Sequence, residues 1–213
     1  MIWGHSQGGH AALWAGQIAP RYAPGLTVKG IAALAPASDL YALAQETKAG
    51  IGGKTVSAYI VTAWDHEYPD LHLADHLTPG TAQGVEQVAG LCFNQQDAIA
   101  AFLRGSQIPD QVIPDAMLDG EVGDLLRRNT PTGPFPAPVL VMQGTADPLV
   151  TPTMQAHWVA ERCAQGRPVD YRTVPGRGHM ELVAADSPVN AELISWTLAR
   201  WNGAPATPTC GVR

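Results

Sequence analysis

Gly4-His5-Ser6-Gln7-Gly8 is a G-x-S-x-G pentapeptide, the pattern that lifts a serine hydroxyl on a sharp turn between a strand and a helix. With six serines and 22 glycines in 213 residues, chance supplies about 0.06 such matches per chain, so the pattern carries weight. Its flanks agree. Met1-Ile2-Trp3 reads as the end of a buried strand, and Gly8 to Ala19 reads as a helix of small residues stopped by Pro20. Glycines two residues either side of the serine are expected to let strand and helix approach without Cβ clashes. A serine hydroxyl is a weak nucleophile, so it needs an adjacent base that a carboxylate in turn orients.

On this turn the acid and then the histidine follow the serine in chain order, at the carboxyl ends of later strands. Gln143-Gly144-Thr145-Ala146-Asp147-Pro148 comes directly after the apolar run Pro138–Met142, and Gly176-Arg177-Gly178-His179 directly after the alternating run Val169–Val174. Asp147 is therefore the expected acid and His179 the expected base. Asp147 also reads as a turn aspartate before a proline, and Asp39, just after an earlier strand, is its rival. The backbone N–H of Gln7 is the expected oxyanion donor, while a second donor normally comes from a loop after a strand earlier than any read here.

Other histidines have plainer readings. His5 fills a variable position of the pentapeptide and His10 the first helical turn, so both are expected to be structural or to line a pocket. Asp65, His66, Asp70, His72, Asp75 and His76 form a cluster in which His72 and His76 have the i, i+4 spacing of a metal pair. No third ligand has helical spacing, so a solvated polar face is expected, with no metal and no cofactor.

These residues need a scaffold. Thr27–Leu34 and Pro138–Met142 are apolar on nearly every residue, as parallel strands covered on both faces should be. Thr151–Gly166 and Ala191–Trp201 read as helices, and the β-α-β-α order marks an α/β fold. Residues 41–135 change character: helical pieces such as Thr55–Trp64 and Gln83–Leu91 are broken by Pro69, Pro79, Pro109 and Pro114. That length is too great for a structureless loop, so a helical insertion is expected between core segments 1–40 and 136–213. A composition of 46% apolar and 15% charged residues suits one globular chain. A formal charge of −6 without any Lys/Arg run argues against nucleic acid or an anionic bilayer as partner. No apolar stretch reaches membrane-spanning length, and no signal peptide is read before the pentapeptide.

Cys163 ends a helical stretch and Cys210 lies in a Gly/Pro/Thr-rich tail, where a bridge would pin a terminus. Cys92 is then left over. The spacing of three thiols does not fix their connectivity, and three unpaired thiols remain the alternative.

Gly4-His5-Ser6-Gln7-Gly8-Gly9-His10-Ala11-Ala12-Leu13-Trp14, Ala33-Leu34-Ala35-Pro36, Gln143–Val150 and Gly178-His179 together resemble the secretory lipase family of α/β hydrolases, over nearly the whole chain. The resemblance implies the C-terminal half of an α/β-hydrolase fold, a parallel sheet flanked by helices, with residues 41–135 as a helical lid. It implies Ser6 as nucleophile, Asp147 as acid and His179 as base in the hydrolysis of lipid or other acyl esters. Family members are secreted and carry a signal peptide and four strands before the serine. The expected partners are therefore a small-molecule ester and either the N-terminal half of the fold or a second copy at the exposed sheet edge. A serine peptidase of the prolyl-oligopeptidase type, an acyltransferase and an inactive truncated fragment are the rival readings.

Overall fold

The computed structural model describes residues 1–93 and 97–210. In chain order the elements are β1 (Ile2–His5), α1 (Gln7–Tyr22), β2 (Ile31–Leu34), α2 (Leu40–Thr47), α3 (Ile51–Glu67), α4 (Ala82–Ala89), α5 (Ala98–Gln107), α6 (Asp115–Leu118), α7 (Glu121–Arg128), β3 (Val139–Gly144), α8 (Pro152–Ala164), β4 (Val169–Val174) and α9 (Val189–Trp201). They divide into two compact units, one of Met1–Leu40 with Thr130–Arg213 and one of Tyr41–Asn129.

The first unit is a four-stranded, all-parallel sheet in the order β1-β2-β3-β4. Side chains alternate across a strand, and here both faces are packed. Ala32 and Leu34 of β2 with Leu140 and Met142 of β3 meet Leu193 and Trp196 of α9. Ile31, Ala33, Val139 and Val141 point the other way, onto Leu13 of α1 and Trp158 of α8. Each fully buried side chain of this size contributes about 2 kcal/mol, which is why β2 and β3 read as unbroken apolar runs. Thr151 caps α8, its hydroxyl accepting from the Met154 N–H at 3.2 Å, and Pro152 begins the helix where no N–H is needed.

The two edges of the sheet differ. Along β4 runs the tail: the Thr209 N–H donates to the Val169 carbonyl at 3.0 Å and the Tyr171 N–H to the Thr209 hydroxyl at 2.9 Å. A disulfide from Cys163 on α8 to Cys210 fastens the end of that tail, with the Cα atoms 5.5 Å apart. Arg200 fixes its start, donating to the carbonyls of Ala204 and Pro205. β1 pairs only with β2 among the described residues, and Trp3 is 48% exposed.

Two local expectations are corrected. α1 continues through Pro20 to Tyr22, because a proline in the last turn removes one N–H and leaves the next residues free to finish it. β1 reaches His5, past Trp3, so the strand ends directly at the serine.

The second unit is helical. α3 packs on α4 and α5, around buried Ala58, Val61, Val85, Val88 and Ala101. The buried Lys54 ammonium donates to the Ile108 carbonyl at 2.6 Å, and the Arg127 guanidinium lies 3.6 Å over the Tyr41 ring. Cys92 is exposed and unbridged. His72 is left-handed, φ 45°, between two short 3-10 turns, so His72 and His76 do not share the helical face their spacing suggested.

Removing the bridge, by reduction or by Cys163→Ser with Cys210→Ser, is expected to cost about 4 kcal/mol for a loop of this length. Amide exchange at Tyr171 should accelerate with it. Unfolding midpoints that match with and without the bridge would show that the tail is held by its hydrogen bonds alone.

Candidate active site

The strained residue of the turn is Ser6, with φ 56° and ψ −121°. A side chain tolerates that region at a cost of about 1–3 kcal/mol, so the surroundings must hold it. The Ser6 N–H donates to the Leu34 carbonyl at 2.9 Å, extending the β1–β2 ladder by one rung, and the Ser6 carbonyl accepts from the His10 N–H at 3.0 Å. A Cβ on Gly4 would run into the Gly8 carbonyl, and one on Gly9 would sit 2.9 Å from the Pro36 Cβ. A Cβ on Gly8 meets nothing. The steric need therefore lies at Gly4 and Gly9, and the expectation that Gly8 shares it is corrected.

Asp147 stands in the loop after β3. Its Oδ1 accepts from the Leu149 and Val150 N–H groups, each at 2.9 Å, and its Oδ2 from His179 Nδ1 at 2.7 Å and Gln143 Nε2 at 3.1 Å. Burial is the largest influence on this carboxyl and pushes it up. The bond and charge of His179, with the two backbone N–H groups, outweigh burial and hold it below its ordinary value of 3.8. Because a carboxylate accepts, Nδ1 of His179 bears a proton, which leaves Nε2 to accept from the Ser6 hydroxyl 2.8 Å away. Ser6, His179 and Asp147 are thus joined in one line.

The loop that carries His179 is fastened to the loop after β3. The Ala146 N–H donates to the Arg177 carbonyl at 3.0 Å and the Gly176 N–H to the Thr145 hydroxyl at 2.9 Å; within the His179 loop itself the Gly178 N–H donates to Glu181 Oε2 at 2.9 Å. Gly144 lacks a side chain where the Arg177 carbonyl passes over it. Arg177 also pairs with Asp186 at 3.2 Å. The N–H of Gln7 is among the first four of α1, which have no partner within a helix, and it follows the serine directly.

Gln143 is a site residue that the sequence reading does not assign. It is fully buried, and its amide N–H₂ reaches the carbonyls of Gly144 and Val150 as well as Asp147; all three neighbours are acceptors, which fixes the amide's orientation. A glutamine ending a run of apolar strand residues was the signal, since a buried amide requires partners. Asp39 is half-buried, and its charge acts on Arg162 of α8. The line of hydrogen bonds to His179 runs through Asp147. Among the described residues no group of three or more His, Cys, Asp or Glu could hold a metal ion.

The sequence model of the secretory lipase family matches residues 1–209. A probable inactive lipase of Mycobacterium tuberculosis is 25% identical over 97% of this chain and 46% of its own length. Candida antarctica lipase A has a similar fold, with a TM-score of 0.74 at 18% identity over 99% of this chain and 50% of that one. A putative hydrolase from Legionella pneumophila is similar at 0.73 and 12% identity, over 96% of this chain and 57% of that chain. The chain therefore spans about half the length of the proteins it matches.

Gly4→Ala is expected to destabilise by about 1–3 kcal/mol through overpacking, whereas Gly8→Ala should be neutral or stabilise by up to about 1 kcal/mol through helix propensity. Urea unfolding of both variants compares them, and equal losses would return Gly8 to a steric role. Asp147's lowered value adds stability that is present above 3.8 and lost as the pH falls through the folded value. The stability advantage of wild type over Asp147→Asn should accordingly shrink below about pH 4. An advantage that is flat with pH would contradict the ionised, hydrogen-bonded carboxylate.

Proposed function

The chain belongs to the secretory lipase family, and from that premise we propose that it is a serine esterase, hydrolysing lipid or other acyl esters through an acyl-serine. One observation carries the reading: Ser6 Oγ, His179 and Asp147 stand in an unbroken hydrogen-bonded line, 2.8 and 2.7 Å, at the strained end of β1.

In this mechanism Ser6 Oγ attacks the acyl carbon while His179 Nε2 takes its proton, and Asp147 stabilises the imidazolium across Nδ1. The developing oxyanion meets the Gln7 N–H at the positive end of α1. The tetrahedral adduct collapses, the C–O bond to the alcohol breaks, and His179 returns the proton to the leaving oxygen. Water then attacks the acyl-serine with its proton passing to Nε2, and Ser6 leaves with that proton as the acid is released. No cofactor enters this scheme. The Cys163–Cys210 bridge fits the oxidising compartment of a secreted protein.

The M. tuberculosis relative is named as inactive; for this chain, a base within hydrogen-bond reach of the serine favours activity. The test is an alkyl fluorophosphonate, with turnover of p-nitrophenyl esters beside it. Labelling is expected at Ser6 and lost in Ser6→Ala. Ser6→Ala and His179→Ala should lower turnover on the order of 10⁶-fold and Asp147→Asn on the order of 10⁴-fold, with Asp39→Asn near wild type. A folded wild-type chain that neither labels nor turns over would overturn the reading, and an inactive Asp39→Asn beside an active Asp147→Asn would reassign the acid.

A further inference from the structure

His5 comes immediately before the nucleophile, yet its ring engages the base loop. Its Nε2 lies 3.0 Å from the His179 carbonyl, a contact between residues 174 positions apart. A carbonyl accepts, so Nε2 bears the proton and donates. The His5 and His179 ring centroids are 4.7 Å apart, their planes inclined by 40°. Ser6 meets this loop at the His179 ring, and the other fastenings described above come from the loop after β3, from Glu181 within it or from Asp186. From the elbow side His5 holds the backbone of the loop, at the His179 carbonyl.

We propose that His5 is a positioning residue: its Nε2–H fixes the backbone of His179 and thereby sets where the His179 imidazole meets the Ser6 hydroxyl. The catalytic part of this inference rests on the esterase reading. Burial and the adjacent His179 hold His5 below the ordinary histidine value of 6.5, against the opposing pull of the His179 carbonyl and the Asp147 charge. A neutral His5 matters here, because a cation would repel the imidazolium that His179 becomes when it takes the serine proton.

Three variants of the full chain separate donor from ring. His5→Phe keeps a flat ring and loses the N–H, His5→Leu loses both in a smaller side chain, and His5→Gln keeps an N–H of similar reach without the ring. Loss of the donor is expected to lower kcat about 10- to 100-fold with KM within about threefold, since small misplacements at a reacting centre act on this scale. His5→Gln should recover to within about fivefold of wild type. A second readout needs no turnover: solvent exchange of the His179 Nδ1 proton, followed by NMR, should accelerate about tenfold in His5→Phe and His5→Leu and much less in His5→Gln. Unchanged exchange in the donor-less variants, or His5→Gln no better than they are, overturns the proposal. If wild type neither labels nor turns over, the esterase reading fails, and the exchange measurement still tests whether His5 positions His179.

Discussion

One imidazole has to face a hydroxyl and a carboxylate at once, and in this sheet the two flanking residues arrive from different strands. Ser6 follows β1 and His179 follows β4, the outermost strands of the order β1-β2-β3-β4. Three ladder spacings separate them, roughly 14 Å. His179 therefore cannot sit above its own strand; its loop has to travel back across β3. Gly144 is bare where the Arg177 carbonyl crosses, and Ala146 and Thr145 bind the crossing backbone. Asp147, after the intervening strand β3, meets the ring from its far side.

The same arrangement explains how a buried carboxylate stays ionised. Desolvation of a charge costs several kcal/mol, and hydrogen bonds to charged groups return about 1.5–3 kcal/mol each. Four donors converge on Asp147: two backbone N–H groups of its own turn, Gln143 and His179. The His179 bond and charge and the two backbone N–H groups outweigh burial, which is why the carboxyl is held below its ordinary value. Three of the four come from within four residues of Asp147 along the chain, so the carboxylate is held mostly by its own stretch of backbone and side chain and only in part by the His179 loop.

Much of this was legible in the residues themselves. β2 and β3 read as strands because parallel strands packed on both faces are apolar throughout; Ser6 directly follows a strand, and Asp147 and His179 lie in the loops after β3 and β4. Contacts formed across the sequence were not legible. Nothing local tells that His5 reaches a carbonyl 174 residues later, or that Gly9 rather than Gly8 is pressed against Pro36. In 41–129, α3 contains the expected Thr55–Trp64 and α4 most of Gln83–Leu91, while α2, α5, α6 and α7, each of ten residues or fewer, are held by packing within their unit more than by a long periodic stretch of sequence.

The backbone at position 6 carries a further consequence. Its φ of 56° with ψ −121° is a conformation in which glycine is at ease and serine is not. If Ser6 carries the proposed chemistry, selection for thermal tolerance and selection for activity pull position 6 in opposite directions. Survivors of a heat-challenged library, chosen with no substrate present, should accumulate glycine there. On the esterase proposal, Ser6 would then mark itself as the place where the protein improves by being disarmed.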